Sequence, residues 1–374
     1  MKKILVRTST IPSTLAVFCY EQIQRLSNEF DLHIITSSGD GLEKLLSLPN
    51  VTCHVVEMKR RISPIHDAKS LWQMYKLLKK IKPDIVHSVT PKAGLISMLA
   101  AKATGVKRRI HTFTGLVWPT SKGISRLTLK SADKILCSAA TDIIPESFSV
   151  KKTMEDGMIT NKELRILGNG SLPGIDLSHF SISNTKIVDL SIKLKEFVYV
   201  YIGRLVSDKG VNELVSAFVE LDKKYNDISL LLVGPREENI DALDKDTVRH
   251  ISECKDIIEV GSVSDVRPYL KAANILVLPS YREGLPNAVI EAGAMCLPCI
   301  VSDIPGCTEI IEDGKNGFVV PVKDISALKN VMEISRENPS LCKTLGIAAR
   351  HNIEIKYDKE LVFNELLNYY ILRL

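Results

Sequence analysis

The chain has 374 residues, of which 45% are hydrophobic and 25% charged, and its formal net charge is +5 at pH 7. This is the composition of an ordinary globular protein long enough for two or three domains. No stretch approaches the ~18–20 consecutive apolar residues of a transmembrane helix. The N-terminus begins like a signal peptide, but Arg7 ends its apolar run far short of the ~7 residues that a signal core needs. We therefore expect a cytoplasmic protein that begins with a buried β-strand.

The net charge is unevenly distributed. Residues 1–180 contain 26 Lys and Arg against 15 Asp and Glu, an excess of +11, whereas residues 181–374 contain 23 against 29, a balance of −6. Basic clusters lie at 59–61, 76–82 and 107–109. Two halves of opposite sign indicate two domains with different partners. An anionic partner is therefore expected for the first half, although most individual lysines are also explained as solvated surface residues.

The cysteines and histidines do not form a metal-binding pattern. Of eight cysteines, Cys296 and Cys299 make the one CxxC, and neither a second CxxC nor a histidine pair accompanies it. A zinc site requires four ligands at characteristic spacings. We expect reduced, buried thiols, which pack as small hydrophobic groups, and no structural metal.

In the first half, short apolar runs alternate with longer segments of helical periodicity. The strand candidates are 4–6, 32–36, 52–56, 84–88, 108–113 and 134–138. The clearest helix is 67–82, where Leu71, Met74, Tyr75, Leu78 and Ile81 recur at helical spacing. Asp67 is a plausible N-cap for that helix.

The second half repeats this alternation. Its strand candidates are 196–203, 229–234, 257–263, 273–280, 297–303 and 317–322. Almost continuous Val, Ile and Leu strands separated by helices are typical of a parallel sheet covered on both faces. The sequence thus predicts an α/β protein with two doubly wound, Rossmann-like domains.

A polar segment at 181–195 sets the predicted domain boundary. We expect residues 1–182 to form one domain and 183–357 the other, with a C-terminal helix at 358–374 that docks elsewhere on the molecule. Open α/β sheets bind ligands outside the carboxyl ends of their strands. Two such sheets facing each other would form a cleft between the domains, and candidate binding residues should follow the strands.

The first such segment is TSTIPSTLAVF at 8–18. Ser13 and Thr14, with their backbone amides, would suit a loop that faces phosphate, although a plain strand-to-helix turn explains them equally well. The segment is not a GxGxxG fingerprint, and no other part of the chain is one, which argues against a dinucleotide-dependent oxidoreductase.

The second segment is YIGRLVSDKG at 201–210. A strand ends at Gly203 and is followed by Arg204 and Lys209, just before the helix that begins at Val211. Two cations at the carboxyl end of a strand, beside a helix N-terminus, form a site for an anion with several charges, such as a diphosphate. The alternative is an ordinary surface Arg and Lys near a turn.

The third segment is PSYREGLPNAVIEAGA at 279–294. Pro286 and Asn287 open a helix, since proline suits the first helical turn, and the amides of Leu285 and Asn287 would be available to phosphate oxygens. Glu283 precedes the turn beside Gly284, and Glu291 lies just over one helical turn later. One carboxylate would then meet the far end of a long ligand and the other its middle, although either alone could be a surface residue.

The second and third segments resemble the retaining GT-B glycosyltransferases of family 4, whose signature includes an E-x7-E pair with the spacing of Glu283 and Glu291. The resemblance covers nearly the whole chain, since the segments at 81–115 and 166–180 are similar to the bacterial subgroup that builds capsular and O-antigen polysaccharides. It implies that residues 1–182 with the C-terminal helix 358–374 form the acceptor domain and residues 183–357 the donor domain, in which Arg204 and Lys209 hold the diphosphate of the donor. It also implies that Glu283 contacts the donor sugar and that Glu291 binds the ribose.

The segment RIHTFTGLVW at 109–118 departs from this family pattern. Many members have a histidine directly before the glycine, where it contacts the donor sugar, but this chain has Thr114. The nearest histidine, His111, lies within the predicted strand, where a core position is the main alternative to sugar binding. His87, at the end of another predicted strand, has the same two interpretations.

The resemblance implies a metal-independent, retaining hexosyltransferase without a cofactor. Its donor would be a nucleotide diphosphate sugar, most simply a UDP-sugar, and its acceptor a saccharide, including one linked to polyprenyl diphosphate. It would work in surface polysaccharide synthesis as a peripheral protein on the anionic inner face of the cytoplasmic membrane, with no nucleic acid as a partner. The alternatives are a non-hydrolysing sugar-nucleotide epimerase and a catalytically silent subunit that binds nucleotide sugar. Donor sugar, base, acceptor, linkage and oligomeric state are not encoded in any recognisable pattern.

Overall fold

The computed structural model describes residues 2–59, 63–185, 193–237 and 241–372. The chain divides into two compact units. Unit 1 consists of Met1–Pro173 with Glu360–Leu374, and unit 2 of Gly174–Lys359.

Unit 1 is a doubly wound α/β unit. In its described part, six parallel strands lie in the order β3-β2-β1-β4-β5-β6. The strands are β1 (Ile4–Thr8), β2 (Asp31–Thr36), β3 (Val51–Val55), β4 (Ile85–Val89), β5 (Arg108–Phe113) and β6 (Asp142–Pro145). The helices are α1 (Tyr20–Glu29), α2 (Leu42–Leu46), α3 (Pro64–Ile81), α4 (Pro91–Ala103), α5 (Gly123–Ala139) and α6 (Phe148–Asp156). A π-helical turn, Thr14–Phe18, precedes α1.

Unit 2 repeats this topology. Its described strands lie in the order β12-β11-β10-β7-β8-β9. They are β7 (Phe197–Ile202), β8 (Ile228–Val233), β9 (Ile257–Gly261), β10 (Ile275–Leu278), β11 (Cys299–Ser302) and β12 (Gly317–Val320). The helices are α7 (Val211–Asp222), α8 (Lys245–Glu253), α9 (Arg267–Ala272), α10 (Asn287–Ala294), α11 (Pro305–Thr308), α12 (Ile325–Glu337) and α13 (Pro339–Tyr357).

The composition of the strands explains both sheets. Every residue of β8, ISLLLV, is buried, and so is every residue of β4, β10 and β11. Strands that are apolar on both faces need helices on both faces to exclude water, which is why they form the centre of a parallel sheet. The edge strand β3 is half exposed. The predicted α/β class with two parallel sheets is confirmed.

The C-terminal helix α14 (Lys359–Ile371) packs within unit 1. The hydroxyl of Tyr370 is hydrogen-bonded to His87 Nδ1 at 2.5 Å and accepts from Arg7 Nη1 at 3.3 Å. Arg108 donates to the backbone oxygens of Tyr369 and Tyr370 at 2.6 and 2.8 Å. Buried polar groups therefore attach the end of the chain to its first strand and to β4 and β5.

The division between the units lies earlier in the chain than the predicted boundary at 182/183. It falls between Pro173 and Gly174. The amide of Ile175 donates to the oxygen of Tyr357 at 2.8 Å, and Arg350 Nη1 donates to the oxygen of Phe180 at 2.8 Å. These bonds to α13 attach the segment after 173 to unit 2, an association between distant parts of the chain that local composition does not reveal. Part of the polar segment at 181–195 lies outside the described residues.

The strand predicted at 134–138 is wrong, because these residues belong to α5. Leu136 and Cys137 are buried whereas Lys134 and Ile135 are exposed, which is helical periodicity in a run too short to distinguish from a strand. The sixth strand is β6, immediately after this helix.

The N-cap predicted at Asp67 is also wrong, since α3 begins at Pro64 with Ser63 at the N-cap position. Asp67 lies in the first turn, where its carboxylate accepts from the amide of Ser63 at 3.1 Å and pairs with Lys92 at 2.6 Å. It stabilises the start of the helix from inside the first turn.

Candidate functional site

The strand order of unit 2 defines where a ligand would bind. Chain order reverses between the neighbouring strands β7 and β10, and such switch points form a crevice at the carboxyl ends of the strands. The two segments singled out from the sequence follow these strands. The loop after β7 begins at Gly203, and the loop after β10 begins at Pro279.

A glycine allows these two loops to approach each other. Gly210, the N-cap of α7, has a φ of 71°. A Cβ at this position would lie 2.0 Å from the backbone oxygen of Pro279. Only glycine combines this left-handed backbone with so close a contact. The loops after β7 and β10 are therefore built to pack against each other.

Lys209 and Glu283 meet at this contact. Lys209 ends a short 3-10 turn, Ser207–Lys209, and its Nζ lies 2.6 Å from Oε1 of Glu283. Both side chains are largely withdrawn from water, with relative exposures of 18% and 13%. Such a pair is less screened by solvent than a surface pair. The structure thus joins two predicted site residues that are 74 positions apart in the chain.

A second ion pair runs beside the first. Arg282 Nη2 lies 2.8 Å from Oδ2 of Asp208, and the amide of Tyr281 donates to the oxygen of Asp208 at 2.9 Å. These contacts hold the backbone directly before Lys209 and directly before Glu283.

Arg204 is paired in a different way. Its Nη1 lies 2.9 Å from Oε2 of Glu237, which follows β8, and both side chains are partly exposed. The hydroxyl of Tyr201 donates to the backbone oxygen of Arg204 at 2.7 Å and fixes the backbone at the strand end. Each of the two predicted anion-binding cations therefore contacts a carboxylate, and an incoming diphosphate would compete with that carboxylate.

The start of α10 lies next to these pairs. Pro286 is the N-cap of α10 rather than its first residue as predicted, and Asn287 begins the helix. Leu285 is buried, and a Cβ on Gly306 would lie 2.6 Å from the backbone oxygens of Glu283 and Gly284. The close approach of the α11 segment thus supports the loop that carries Glu283.

Glu291 lies in α10, one turn beyond its start. Partial burial, and after it the nearby charge of Asp265, raises the pKa of its carboxyl to about 7. Among the described residues, none donates a hydrogen bond to this carboxylate. A partly buried carboxyl without a donor from the protein is less well solvated in its ionised form than an exposed one, so a ligand that donates a hydrogen bond here would be favoured.

In unit 1, the residues that join the loops after β1 and β4 are neutral. Ser13 is the N-cap of the π-helical turn that begins at Thr14, and both side chains are partly exposed. The hydroxyl groups of Thr10 and Thr90 are hydrogen-bonded at 2.8 Å, and Thr10 Oγ1 also accepts from the amide of Ala93 at 3.1 Å. Thr90 has a φ of 72°. These bonds join the loops after β1 and β4.

His111 is buried in unit 1. Its Nδ1 is hydrogen-bonded to Ser88 Oγ at 2.7 Å, its ring meets Phe113 edge-on, and a Cβ on Gly94 would lie 2.4 Å from Cε1. Burial lowers its pKa to about 3, so it is neutral. These contacts correspond to the core position that was the alternative to sugar binding. Thr114, directly after β5, is only partly buried.

His87 is also a core residue. Its Nε2 is hydrogen-bonded to Thr112 Oγ1 at 2.8 Å, and its Nδ1 is bonded to α14 as described above. Burial lowers its pKa well below the usual range. It is thus held between β5 and the C-terminal helix as a neutral ring.

Comparison with known proteins identifies the family. Residues 183–352 match the family model "Glycosyl transferases group 1", and residues 10–147 match "Glycosyl transferase 4-like". The capsular polysaccharide biosynthesis glycosyltransferase CapM of Staphylococcus aureus is 34% identical over 91% of this chain and 89% of its own length. The chain belongs to the group 1 glycosyltransferases.

Other proteins that are similar to this glycosyltransferase agree with the family and show the fold. The UDP-Gal:alpha-D-GlcNAc-diphosphoundecaprenol alpha-1,3-galactosyltransferase of Escherichia coli is 30% identical over 83% of this chain and 82% of its own length. The sucrose-phosphate synthase of Thermosynechococcus elongatus, 18% identical, covers 100% of this chain and 99% of its own with a TM-score of 0.83. HepE of Anabaena, solved with UDP, is 15% identical over 99% of both chains with a TM-score of 0.80. The fold of this glycosyltransferase is GT-B.

Sequence reasoning missed the carboxylates that accompany the cations of this glycosyltransferase. Glu237 and Asp208 contact Arg204 and Arg282. Both carboxylates could have been noticed in the sequence, since Asp208 lies within the motif that contains Lys209, and Glu237 follows a predicted strand. The sequence does not show which acidic side chain pairs with which basic side chain.

Proposed function

We propose that this glycosyltransferase transfers a hexose or an N-acetylhexosamine from a nucleotide diphosphate sugar, most simply a UDP-sugar, to a saccharide hydroxyl with retention of configuration. The bond between the anomeric carbon and the diphosphate oxygen breaks, and a bond to the acceptor oxygen forms. The acceptor proton passes to the leaving diphosphate. The observation that carries this proposal is the Lys209–Glu283 pair at the switch point of unit 2.

The leaving diphosphate is the group that needs stabilisation. Lys209 lies in a poorly hydrated position between two loops, and Arg204 follows the adjacent strand end. Cations that are already in place when charge develops can lower the barrier without a metal ion. We therefore propose that Lys209, Arg204 and the first-turn amides of α10 act together, and that the reaction needs no divalent cation.

The two glutamates bind different parts of the donor. Glu283 is held by Lys209, which leaves its other carboxylate oxygen for a sugar hydroxyl. Glu291 is partly buried and lacks a donor among the described residues, which suits a ribose hydroxyl. Ser13, Thr14 and Thr114 are the proposed unit 1 contacts, since neutral hydroxyl groups suit sugars and phosphate oxygens alike.

For the acceptor we propose a lipid-linked saccharide used in surface polysaccharide synthesis at the inner face of the cytoplasmic membrane. The printed activity of the E. coli relative, which acts on alpha-D-GlcNAc-diphosphoundecaprenol, supports this choice. So does the basic excess of the first half of the sequence. No helix in the described part of the chain is long and apolar enough to cross a bilayer, so the proposal places the protein on the membrane surface.

The test is direct. The protein is incubated with UDP- and GDP-sugars and a short lipid-linked acceptor, and release of nucleoside diphosphate is followed with and without EDTA. NMR of the product then gives the anomeric configuration. We expect release that depends on acceptor and persists in EDTA, with retained configuration. Conversion of the donor to an epimer, binding without release, or full dependence on Mg²⁺ would each contradict the proposal.

A further inference from the structure

An ion pair joins the first turns of helices α3 and α4 in unit 1. Lys92 is the second residue of α4, and its Nζ lies 2.6 Å from Oδ2 of Asp67, in the first turn of α3. The relative exposures of the two side chains are 12% and 25%. The helices follow β3 and β4, so the pair lies at the carboxyl end of the sheet, the edge at which open α/β folds bind ligands.

The position of Lys92 is electrostatically unfavourable unless an anion accompanies it. The first turn of a helix carries partial positive charge, which favours acidic side chains there and disfavours cations. Asp67 follows this rule in α3, whereas Lys92 lies in the first turn of α4, where no acidic residue is present. A cation added to the positive end of a helix gives a site that suits an anion with more than one charge, such as a diphosphate.

The carboxylate of Asp67 is not fully hydrogen-bonded within this pair. Its Oδ2 accepts from Lys92 and, at 3.1 Å, from the amide of Ser63, whereas no described residue donates to Oδ1, which is buried. A stable buried ion pair normally has its remaining lone pairs satisfied. If Lys92 turned to another anion, Asp67 would keep the amide of Ser63 and the favourable end of α3. The carboxylate can therefore release Lys92 without losing all of its stabilisation.

The ion pair is not required to hold α3 against α4. Met74 and Leu78 of α3 are buried in the same apolar core as Ile96 and Ala100 of α4. Burial of apolar side chains contributes more to such packing than a partly exposed ion pair does. The contact between the helices thus leaves the lysine in the first turn of α4 unexplained.

We propose that Lys92 binds the diphosphate of the lipid-linked acceptor, and that Asp67 holds its side chain in place until the acceptor displaces the carboxylate. This inference rests on the proposed function and adds the residue that recognises the charged group of the acceptor. The pair belongs to the first turns of two helices and is separate from the neutral hydroxyl groups of Thr10 and Thr90, which join the loops.

A second group of cations in unit 1 is explained without a ligand. Lys3, Lys79, Lys82 and Lys107 line a cavity of about 490 Å³ at the amino ends of the strands. Lys3 pairs with Asp84 at 3.3 Å, and Lys79 and Lys82 lie in the last turn and at the C-cap of α3. The negative end of a helix favours cations, so these lysines stand where the fold alone would place them.

The experiment compares two soluble acceptors with the same saccharide, one a short-chain alkyl diphosphate and the other a neutral alkyl glycoside, at saturating donor and without vesicles. Lys92→Met should raise KM for the diphosphate acceptor about ten- to hundredfold, the effect of removing one hydrogen bond to a charged group. KM for the glycoside, which has no charge for Lys92 to bind, should change by less than about twofold. Lys69→Met, at an exposed position of α3, is the matched control and should behave like wild type. A KM that rises equally for both acceptors, or for neither, would overturn the inference.

Asp67→Asn distinguishes binding from a purely structural role. The amide oxygen can still accept from Ser63, but no charge competes for Lys92, so KM for the diphosphate acceptor should fall about two- to fivefold, the strength of a partly exposed ion pair. A structural brace would instead lose stability and leave this KM unchanged or higher, which would contradict the proposal. Asp67→Asn/Lys92→Met leaves no unpaired charge and should unfold close to the wild-type Tm, yet lose the preference for the diphosphate acceptor. A double variant that keeps this preference would also refute the site.

Calorimetry with the alkyl diphosphate saccharide separates this inference from the proposed function. Saturating UDP is present, so that the donor site of unit 2 is occupied. If wild type transfers sugar but binds and uses both acceptors equally well, the diphosphate site is refuted and the transferase proposal stands. If no donor supports transfer but the diphosphate binds in a way that depends on Lys92, the site is supported and the proposed reaction fails. Displacement of the diphosphate saccharide by UDP would assign it to the donor site and overturn the inference.

Discussion

The two sheets have the same topology, but the loops at the carboxyl ends of their strands differ in charge. In unit 2, the loops after β7, β8 and β10 carry charged side chains that pair with one another, as Lys209 does with Glu283 and Arg204 with Glu237. In unit 1, the loops after β1 and β4 are joined by neutral hydroxyl groups, those of Thr10 and Thr90. The strand order creates a switch point in both units, with these paired charges at that of unit 2 and the two neutral hydroxyl groups at that of unit 1.

This difference is the basis for the two kinds of binding that we propose for the two units. A charged pair at a strand end can exchange one partner for a phosphate, so unit 2 suits an anionic donor. The hydroxyl groups of Thr10 and Thr90 are neutral and bonded to each other, so they position the two loops without attracting charge. The predictions below test this division, beginning with the largest expected effect.

Replacing Lys209 by Ala should lower turnover by roughly 10²–10³, the usual loss when one preorganised charge-stabilising group is removed. Arg204→Ala should fall in the same range if both cations hold the diphosphate. Turnover at saturating donor is the measurement. Lys223→Ala, an exposed cation just after α7, is the control and should retain wild-type turnover. Near-normal turnover in the Lys209 variant would remove the basis for assigning the diphosphate to unit 2.

The two glutamates should separate in their effects on nucleotide affinity. Glu291→Ala should weaken binding of free UDP by about 1.5–3 kcal/mol, the contribution of a charge-assisted hydrogen bond. Glu283→Ala should leave UDP affinity nearly unchanged and reduce transfer, because it frees Lys209 for the diphosphate while removing the sugar contact. Calorimetry on both variants decides, and equal losses of UDP affinity would contradict the assignment.

The raised pKa of Glu291 should also make stability depend on pH. The folded chain keeps this proton up to about pH 7, whereas an unperturbed carboxyl loses it near 4.5. Because the folded state binds more protons in this window, the contribution of Glu291 to the free energy of unfolding falls as pH rises from 4.5 to 7.

Glu291→Gln removes this titration. The Tm of the variant relative to wild type should therefore increase across that pH window, as followed by thermal unfolding. Glu291→Asp, which keeps a carboxyl, is the control and should retain a decline with pH. A constant difference between wild type and the Gln variant would show that Glu291 is ionised in the folded protein throughout.

The smallest effect is expected in unit 1. Thr10→Val removes the hydroxyl that joins the loops after β1 and β4 and should lower the free energy of unfolding by about 1 kcal/mol. Thr10→Ser keeps the hydroxyl and should be close to wild type. UDP affinity should stay within about twofold in both. A large loss of UDP affinity in the Val variant would mean that the two units do not divide the chemistry as described.

Much of the fold follows from local patterns. Apolar runs such as ISLLLV in β8 are buried on both faces wherever they lie, so their composition alone predicts central strands of a parallel sheet. The run KILCS at 134–138 was too short for its period to separate strand from helix, and packing against unit 1 made it part of α5.

The candidate site was only half predictable. Arg204 and Lys209 stand out because they follow an apolar strand, and Glu283 and Glu291 because of their spacing around the start of a helix. Glu237, the partner of Arg204, was missed, because the sequence shows where charges occur and not which of them meet. His111 illustrates the opposite case, since a polar residue near a motif proved to be packed under α4 and bonded to Ser88.

The sequence by itself determined the two doubly wound sheets, the loops that carry the candidate binding residues and the basic character of the first half. Each of these depends on short-range pattern or on composition, which burial and chain geometry translate directly into structure. Only the tertiary structure decided that Lys209 meets Glu283 across 74 positions, that α14 closes unit 1 through Tyr370, and that Ile124 and Leu127 face outward. These outcomes depend on which distant segments pack together, and the free energy of that packing comes from the whole core rather than from any local run of residues.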